Sequence, residues 1–142
     1  MAPLANRGDR PPNILWYCSD QQRFDTIGAL GTFGPHPGAT PNPHVHTPNL
    51  DRLVREGVAF THAYCQAPIC TPSRASFLTG KYPSTLHVNT NGNTHFPRHE
   101  RLVTSRLADA GYDCGLVGKL HLAGANWGRE PRVDDGYRVF QY

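Results

Sequence analysis

Apolar residues in this chain come in short runs set between long polar and turn-forming stretches. The first run, Asn13-Ile14-Leu15-Trp16-Tyr17-Cys18, does not alternate. That pattern predicts a strand buried on both faces, as in a parallel sheet, ending at Ser19-Asp20-Gln21. A helical period follows after a loop: Thr47 caps it, Pro48 opens it, Leu50, Leu53 and Val54 form its buried stripe, and Gly57 stops it. Val58-Ala59-Phe60 starts a short extended stretch. The next helix is short and sharply punctuated. Thr71 is a good N-cap, Pro72 suits the first helical position, and Gly80 suits the left-handed residue that closes a helix. Cys70 is then expected just outside the helix N-terminus. A further amphipathic helix is predicted from about Glu100 to Ala110, with Leu102, Val103, Leu107 and Ala110 facing the core and Gly111 ending it. Tyr112 to Val117 reads as a second buried strand, and the tail from Tyr137 to Tyr142 alternates like a strand.

Strands alternating with helices predict an α/β fold with a mostly parallel sheet flanked by helices. Only three or four strands can be found, so the sheet reads as incomplete, the N-terminal part of a larger domain spanning residues 13–142. Residues 1–12 are polar and Pro-rich and read as a flexible leader. Fourteen glycines and 13 prolines imply long loops, chiefly residues 31–48 and 81–99. The net charge of +3 is small and scattered, with no basic run carrying interleaved aromatics, which argues against nucleic acid as a partner. With 38% hydrophobic and 18% charged residues the chain is neither disordered nor membrane-spanning in composition. The leader has no apolar core segment of the secretory type, so a cytoplasmic location is expected. Of the four cysteines, Cys18 and Cys114 lie in apolar runs and read as buried small hydrophobes. Cys65 and Cys70 could pair, though reduced thiols are the simpler reading.

The candidate chemistry sits at element ends. Asp20 falls where open α/β sheets gather their ligands, at the carboxyl end of a strand. Lys119 and His121 stand just past the end of the second predicted strand. Arg74 places a cation in the first turn of a helix, against the helix dipole, and such local rule-breaking tends to mark a functional site. Cysteine, helix N-terminus and arginine together suit a tetrahedral oxyanion. His44 and His46 have no Cys or acidic partner at metal-ligand spacing and read as loop residues. Arg23 and Asp25 read as a local ion pair.

Cys70-Thr71-Pro72-Ser73-Arg74 resembles the C-x-P-S-R signature of the type I sulfatases. Gly111-Tyr112-Asp113-Cys114-Gly115-Leu116-Val117-Gly118-Lys119-Leu120-His121 resembles a second motif of that family, G-Y-x-x-x-x-x-G-K-x-H. The likeness runs from about Asn13 to the C-terminus. It implies the N-terminal portion of an alkaline phosphatase-like sandwich. It also implies a sulfuric ester hydrolase whose nucleophile is a formylglycine hydrate made from Cys70 by a separate formylglycine-generating enzyme. By the same resemblance Arg74 holds the hydrate, Lys119 contacts sulfate oxygens, and His121 orients nucleophile or substrate. Asp20, Gln21 and the Cys70 position would be metal ligands, with Ca²⁺ expected and Mn²⁺ the other candidate. Asn91 lies at the spacing of a substrate-binding asparagine, with Asn89 and Asn93 close by. The expected substrate is a sulfated small molecule or glycan.

Gln21 departs from the family, which often carries a second aspartate there; an amide oxygen can bind a hard cation but brings no charge. The Asp20-Gln21 turn also resembles choline-sulfatase-like enzymes and phosphonate monoester hydrolases, so hydrolysis of phosphonate or phosphate esters is the alternative reaction. The remaining metal ligands of the family come from a C-terminal region beyond these 142 residues. The isolated chain is therefore expected to be inactive, in effect an oxyanion-binding fragment.

Overall fold

Two parallel strands and three α-helices, joined by turns, make up the regular structure of the computed structural model, which describes residues 11–31, 44–91, 96–122 and 133–141. The helices are α1 (Pro48–Glu56), α2 (Cys70–Thr79) and α3 (Val103–Asp109); the strands are β1 (Cys114–Val117) and β2 (Tyr137–Gln141). Short 3-10 turns cover Phe24–Thr26, Gly28–Leu30 and Val133–Asp135.

The core is built on α2. Ala75 and Leu78 from its inner face meet Leu86 and Val88 of the following turns, then Phe96, Leu102, Leu120 and Leu122. Leu86, Val88 and Leu102 are essentially sealed from solvent. Each side chain buried in this way contributes on the order of 1.5–3 kcal/mol. Phe77, Val103, Leu116, Tyr137 and Phe140 pack around this nucleus. It therefore clamps the start of α2 and the exit of β1 into one body, and the candidate site lies where they meet.

β1 and β2 pair in parallel as expected, with Leu116 opposite Phe140 and Val117 opposite Gln141. The Gly118 amide adds a hydrogen bond to the Gln141 carbonyl at 2.7 Å. β1 is shorter than the predicted Tyr112–Val117 strand, and its residues alternate between half-buried and exposed instead of being buried on both faces. Gly136, just before β2, has φ +82°, and a Cβ there would lie 2.6 Å from both Ser105 Cα and the Thr104 carbonyl oxygen. Only glycine lets β2 enter this close to α3.

The segment Asn13–Cys18 differs most from expectation. It carries no ladder hydrogen bonds and lies exposed, Leu15 at 94%. A continuous apolar run states that a strand wants cover on both faces; among the described residues none pairs with it. Trp16 alone finds an aromatic partner, Phe77 of α2, with ring centroids 5.1 Å apart. Cys18 is accordingly exposed, not a buried hydrophobe, and Cys114 is only half-buried; all four cysteines are free.

α1 keeps its predicted ends, Pro48 first and Gly57 after Glu56, but its stripe is not buried: Leu53 is 62% exposed. The helix packs instead through polar groups on the turn Gly28–Leu30. Thr47 Oγ1 accepts the Gly28 N–H at 2.8 Å, and Asp51 Oδ1 accepts the Ala29 N–H at 2.9 Å. α3 starts at Val103, three residues later than predicted; Glu100 lies buried ahead of it, paired with Lys81, whose ammonium lies 2.7 and 2.6 Å from its two carboxylate oxygens. Gly111 ends α3 as expected, with φ +88°. No described helix is long and apolar enough to cross a membrane. The predicted leader up to residue 10, most of the 31–48 loop and the Asn93 position lie outside the described residues.

Candidate active site

Helix α2 begins two residues earlier than its sequence suggests. Cys70 is its first residue, not the residue before it, and the ladder opens with the Ser73 N–H on the Ile69 carbonyl at 3.0 Å. The cap position falls to Ile69, which makes no side-chain cap. Thr71 is buried inside the first turn and does not act as N-cap. Its own backbone N–H, an orphan donor of the first turn, is met from outside the helix by Asn91 Oδ1 at 2.9 Å. Pro72 sits third in the helix, still within the turn whose N–H groups have no partner inside it, so its ring costs no hydrogen bond. Gly80 closes the helix at φ +72°, as predicted.

One turn on, Arg74 is 8% exposed and spans two elements. Its Nη1 donates to the Lys119 carbonyl oxygen at 2.6 Å, and its Nη2 lies 3.2 Å from Asp20 Oδ1. With α2 starting at Cys70, Arg74 stands just past the first turn that the sequence predicts for it; burying a guanidinium there is unfavourable unless its charge is met. Asp20 meets it, as a charge-assisted hydrogen bond.

Asp20 is the hub. Its Oδ1 lies 3.9 Å from Cys70 Sγ, and its Oδ2 accepts from Lys119 Nζ at 3.1 Å. The hydrogen bond from Lys119 holds the Asp20 carboxyl below the ordinary carboxylate range, the Arg74 contact adds to this, and partial burial opposes it. Cys70, Arg74, Asp20 and Lys119, which come from three separate stretches of chain, thus converge on one point.

His121 completes the cluster electrostatically. Burial, then Lys119 and Arg74, lower its pKa, while Asp20 pulls the other way. Its Nδ1 is buried without a hydrogen-bond partner among the described residues. Two non-glycine residues here adopt left-handed backbone, Gln21 at φ +55° and His121 at φ +56°. Such conformations cost of order 1 kcal/mol or more and gather at functional sites.

Asn91 is brought to the cluster through Thr71, with its oxygen engaged. Asn89 is exposed. Neither this bond nor the use of the Lys119 carbonyl by Arg74 carries a sequence signal, since both acceptors are ordinary in type and are chosen only by tertiary geometry.

The metal expectation meets a sparse donor set. The described residues contain no group of three or more His, Cys, Asp or Glu that could hold a metal ion. Asp20 offers one carboxylate, both of whose oxygens face cations, and Gln21 a neutral amide. Calcium takes about six to eight oxygens, so these residues do not by themselves form a divalent-cation site.

Known proteins share this arrangement of elements. The Sulfatase family profile matches residues 12–137. Over 128 residues the chain is 38% identical to mouse steryl-sulfatase, covering 83% of this chain and 19% of the relative. Over 120 residues it is 40% identical to human arylsulfatase A, covering 80% of this chain and 21% of the relative. An ulvan-active sulfatase of Formosa agariphila is 39% identical over 113 residues, 80% of this chain and 20% of its own length. The chain thus spans about a fifth of the length of these relatives. Among solved structures, yidJ of Bacteroides fragilis, assigned to the sulfatases, superposes with a TM-score of 0.60 at 35% identity, over 72% of this chain and 22% of that one. The two-stranded parallel sheet and its helices are therefore part of an alkaline phosphatase-like α/β fold, and the chain belongs to the sulfatase family.

Proposed function

We propose that the chain is the N-terminal part of a sulfuric ester hydrolase in which Cys70, oxidised to formylglycine, supplies the nucleophile. The observation that carries this reading is that Asp20, 3.9 Å from Cys70 Sγ, is itself held by Arg74 and Lys119, so that one carboxylate and its two cations gather beside the residue to be converted. In the conversion the Cβ of Cys70 loses its sulfur as hydrogen sulfide, yields two electrons and two protons to an oxidant supplied by the maturation enzyme, and takes its carbonyl oxygen from water. Hydration of the aldehyde gives a geminal diol. One diol oxygen attacks the ester sulfur, and the bond from sulfur to the substrate alkoxide breaks as the alkoxide takes up a proton. Loss of a proton from the other diol oxygen then re-forms the carbonyl and expels sulfate.

In this scheme Arg74 holds the hydrate, Lys119 offsets the charge of the sulfate oxygens, and electrostatic help of this kind is often the largest single contribution to catalysis. His121, kept neutral by its surroundings, orients substrate or nucleophile. Asn91 stands close enough through Thr71 to border the substrate. A divalent cation such as Ca²⁺ would draw on Asp20 and Gln21 and needs donors beyond the described residues; no step is routed through it. The substrate class is a sulfated small molecule or glycan, in keeping with the steryl, aryl and ulvan sulfatases among its relatives.

Peptide mass spectrometry after co-production with a formylglycine-generating enzyme tests the scheme. Conversion of Cys70 lowers the peptide mass by about 18 Da relative to cysteine, through oxidation at the thiol-bearing carbon. A Cys70 peptide that keeps its thiol while a known sulfatase is converted alongside it would overturn the reading. Gln21, where a second aspartate is common, favours one competing reaction, hydrolysis of phosphonate monoesters. A longer parent protein that turns over phosphonate monoesters far better than aryl sulfates would establish that alternative.

A further inference from the structure

The start of α2 is fixed by a residue that belongs to no helix. Thr71 N–H is an orphan donor of the first turn, and Pro72 has no N–H to offer. Asn91 Oδ1 takes the Thr71 donor at 2.9 Å across 20 positions of chain. The turn before Asn91 is closed by hydrogen bonds from the Leu86 N–H to the Tyr82 carbonyl and from the Val88 N–H to the Pro83 carbonyl. Leu86 and Val88 are almost fully buried in the core. Asn91 follows shortly after this anchored turn, while the helix that receives its carboxamide oxygen carries Cys70 as its first residue.

We propose that Asn91 is a positioning residue for Cys70: its carboxamide oxygen caps α2 from outside and sets where the helix begins, and hence the aim of the Cys70 side chain at Asp20. This role differs from contact with substrate, and it rests on the reading of Cys70 as the reacting position. Three observations favour it. Ile69, at the cap position, makes no side-chain cap. Thr71 is buried, so its N–H cannot turn to water without moving the turn. Cys70 immediately precedes the capped N–H, so fraying of that turn displaces its side chain first.

The test uses the 142-residue chain with its thiols unconverted and needs no turnover. Backbone amide exchange and amide chemical shift at Thr71 are read in the parent chain, in Asn91→Leu, which has no acceptor, and in Asn91→Asp, which retains one. An N-cap lost is typically worth a factor of about five in the local opening equilibrium. In Asn91→Leu the Thr71 amide is expected to exchange about fivefold faster with an upfield shift. Alkylation of Cys70 by iodoacetamide, quantified by peptide mass spectrometry, is expected to change while the exposed Cys18 and Cys65 keep their rates. In Asn91→Asp the Thr71 protection is expected to return to the parent level or exceed it. Unchanged Thr71 exchange in a folded Asn91→Leu, or protection in Asn91→Asp below the parent, would each overturn the proposal. So would Cys18 and Cys65 changing in step with Cys70, which would signal general loosening. Failure of Cys70 to become an aldehyde leaves these amide readouts unaffected, so the two readings fail separately.

Discussion

Lys119 Nζ lies 3.1 Å from Asp20 Oδ2, although 99 positions of chain separate the two residues. The contact ties the exit of β1 to the end of the extended segment Asn13–Cys18, and it makes Asp20 the counter-charge for both Lys119 and Arg74. A carboxylate in that place competes with any external oxyanion for the same two cations. Replacing it is expected to strengthen binding of inorganic sulfate to the chain, even though the family resemblance makes Asp20 a metal ligand. One unit charge within 4–5 Å at an effective dielectric near 20 is worth about 3–4 kcal/mol before exposure is allowed for, so Asp20→Asn should raise sulfate affinity about tenfold. Lys119→Met should lower it by a similar factor. Titration calorimetry with sulfate at low ionic strength measures both, and weaker sulfate binding by Asp20→Asn would contradict the competition.

The chemistry-bearing residues were legible because each stands at the end of an element or breaks a local rule. Asp20 follows an apolar run, Lys119 and His121 follow a second one, and Arg74 opposes a helix dipole; folding brings all of them to one place. The parallel pairing of β1 with β2 was legible too, from strands separated by helical periods. The state of Asn13–Cys18 was not, because a continuous apolar run announces a need for cover without naming what provides it. The first residue of α2 was misplaced for a related reason. Thr71-Pro72 has the local signature of a cap, but the helix extends back to Cys70, and the Thr71 N–H inside its first turn is met by Asn91, which only tertiary structure brings near. Glu100 likewise reads as helical, yet it lies ahead of α3, buried, with its carboxylate on Lys81.

The approach of β2 to α3 depends on one glycine. Gly136 has φ +82°, and a Cβ would meet Ser105 Cα and the Thr104 carbonyl at 2.6 Å, both of them backbone atoms that cannot rotate away. Left-handed backbone for alanine costs about 1–2 kcal/mol, and forced overpacking about 1–3 kcal/mol more. Gly136→Ala is expected to destabilise the chain by at least about 2 kcal/mol in urea unfolding, whereas Gly80→Ala, with nothing within 4 Å of the added Cβ, should cost only the backbone share.

Acid should loosen α1 from its turn before it reaches the core. Asp51 Oδ1 accepts from the Ala29 N–H and from the Thr47 hydroxyl, each at 2.9 Å. The backbone hydrogen bond from Ala29 is the main reason its carboxyl lies below the ordinary value of 3.8, with burial opposing and Thr47 adding to the lowering. A depressed folded value means that the stabilisation is present above the unfolded value and is lost as pH falls through the folded one. Protection of the Gly28 and Ala29 amides, taken relative to intrinsic exchange at each pH, should therefore fall below about pH 4 in the parent chain. The same amides in Asp51→Asn should show no such acid dependence. An acid-independent parent would remove Asp51 from this role.

The imidazole of His121 offers a reporter for the whole cluster, because its neighbours act on it with opposite signs. Burial lowers its pKa most, Lys119 and Arg74 lower it further, and Asp20 raises it. Protonation would place a third cation beside two others, at a ring whose buried Nδ1 has no hydrogen-bond partner among the described residues. Since the folded value lies below the unfolded 6.5, protonation favours unfolding, and His121 costs the chain stability as pH falls through and below that unfolded value. Removing a neighbouring cation should relieve the repulsion, so Lys119→Met is expected to move the His121 titration up. Removing the neighbouring anion should do the reverse, so Asp20→Asn is expected to move it down. Titration of the His121 ring followed by NMR reads both shifts on one residue. Two shifts of the same sign would mean that the mutations act through a change in burial, and that the charges of Asp20 and Lys119 do not govern this histidine.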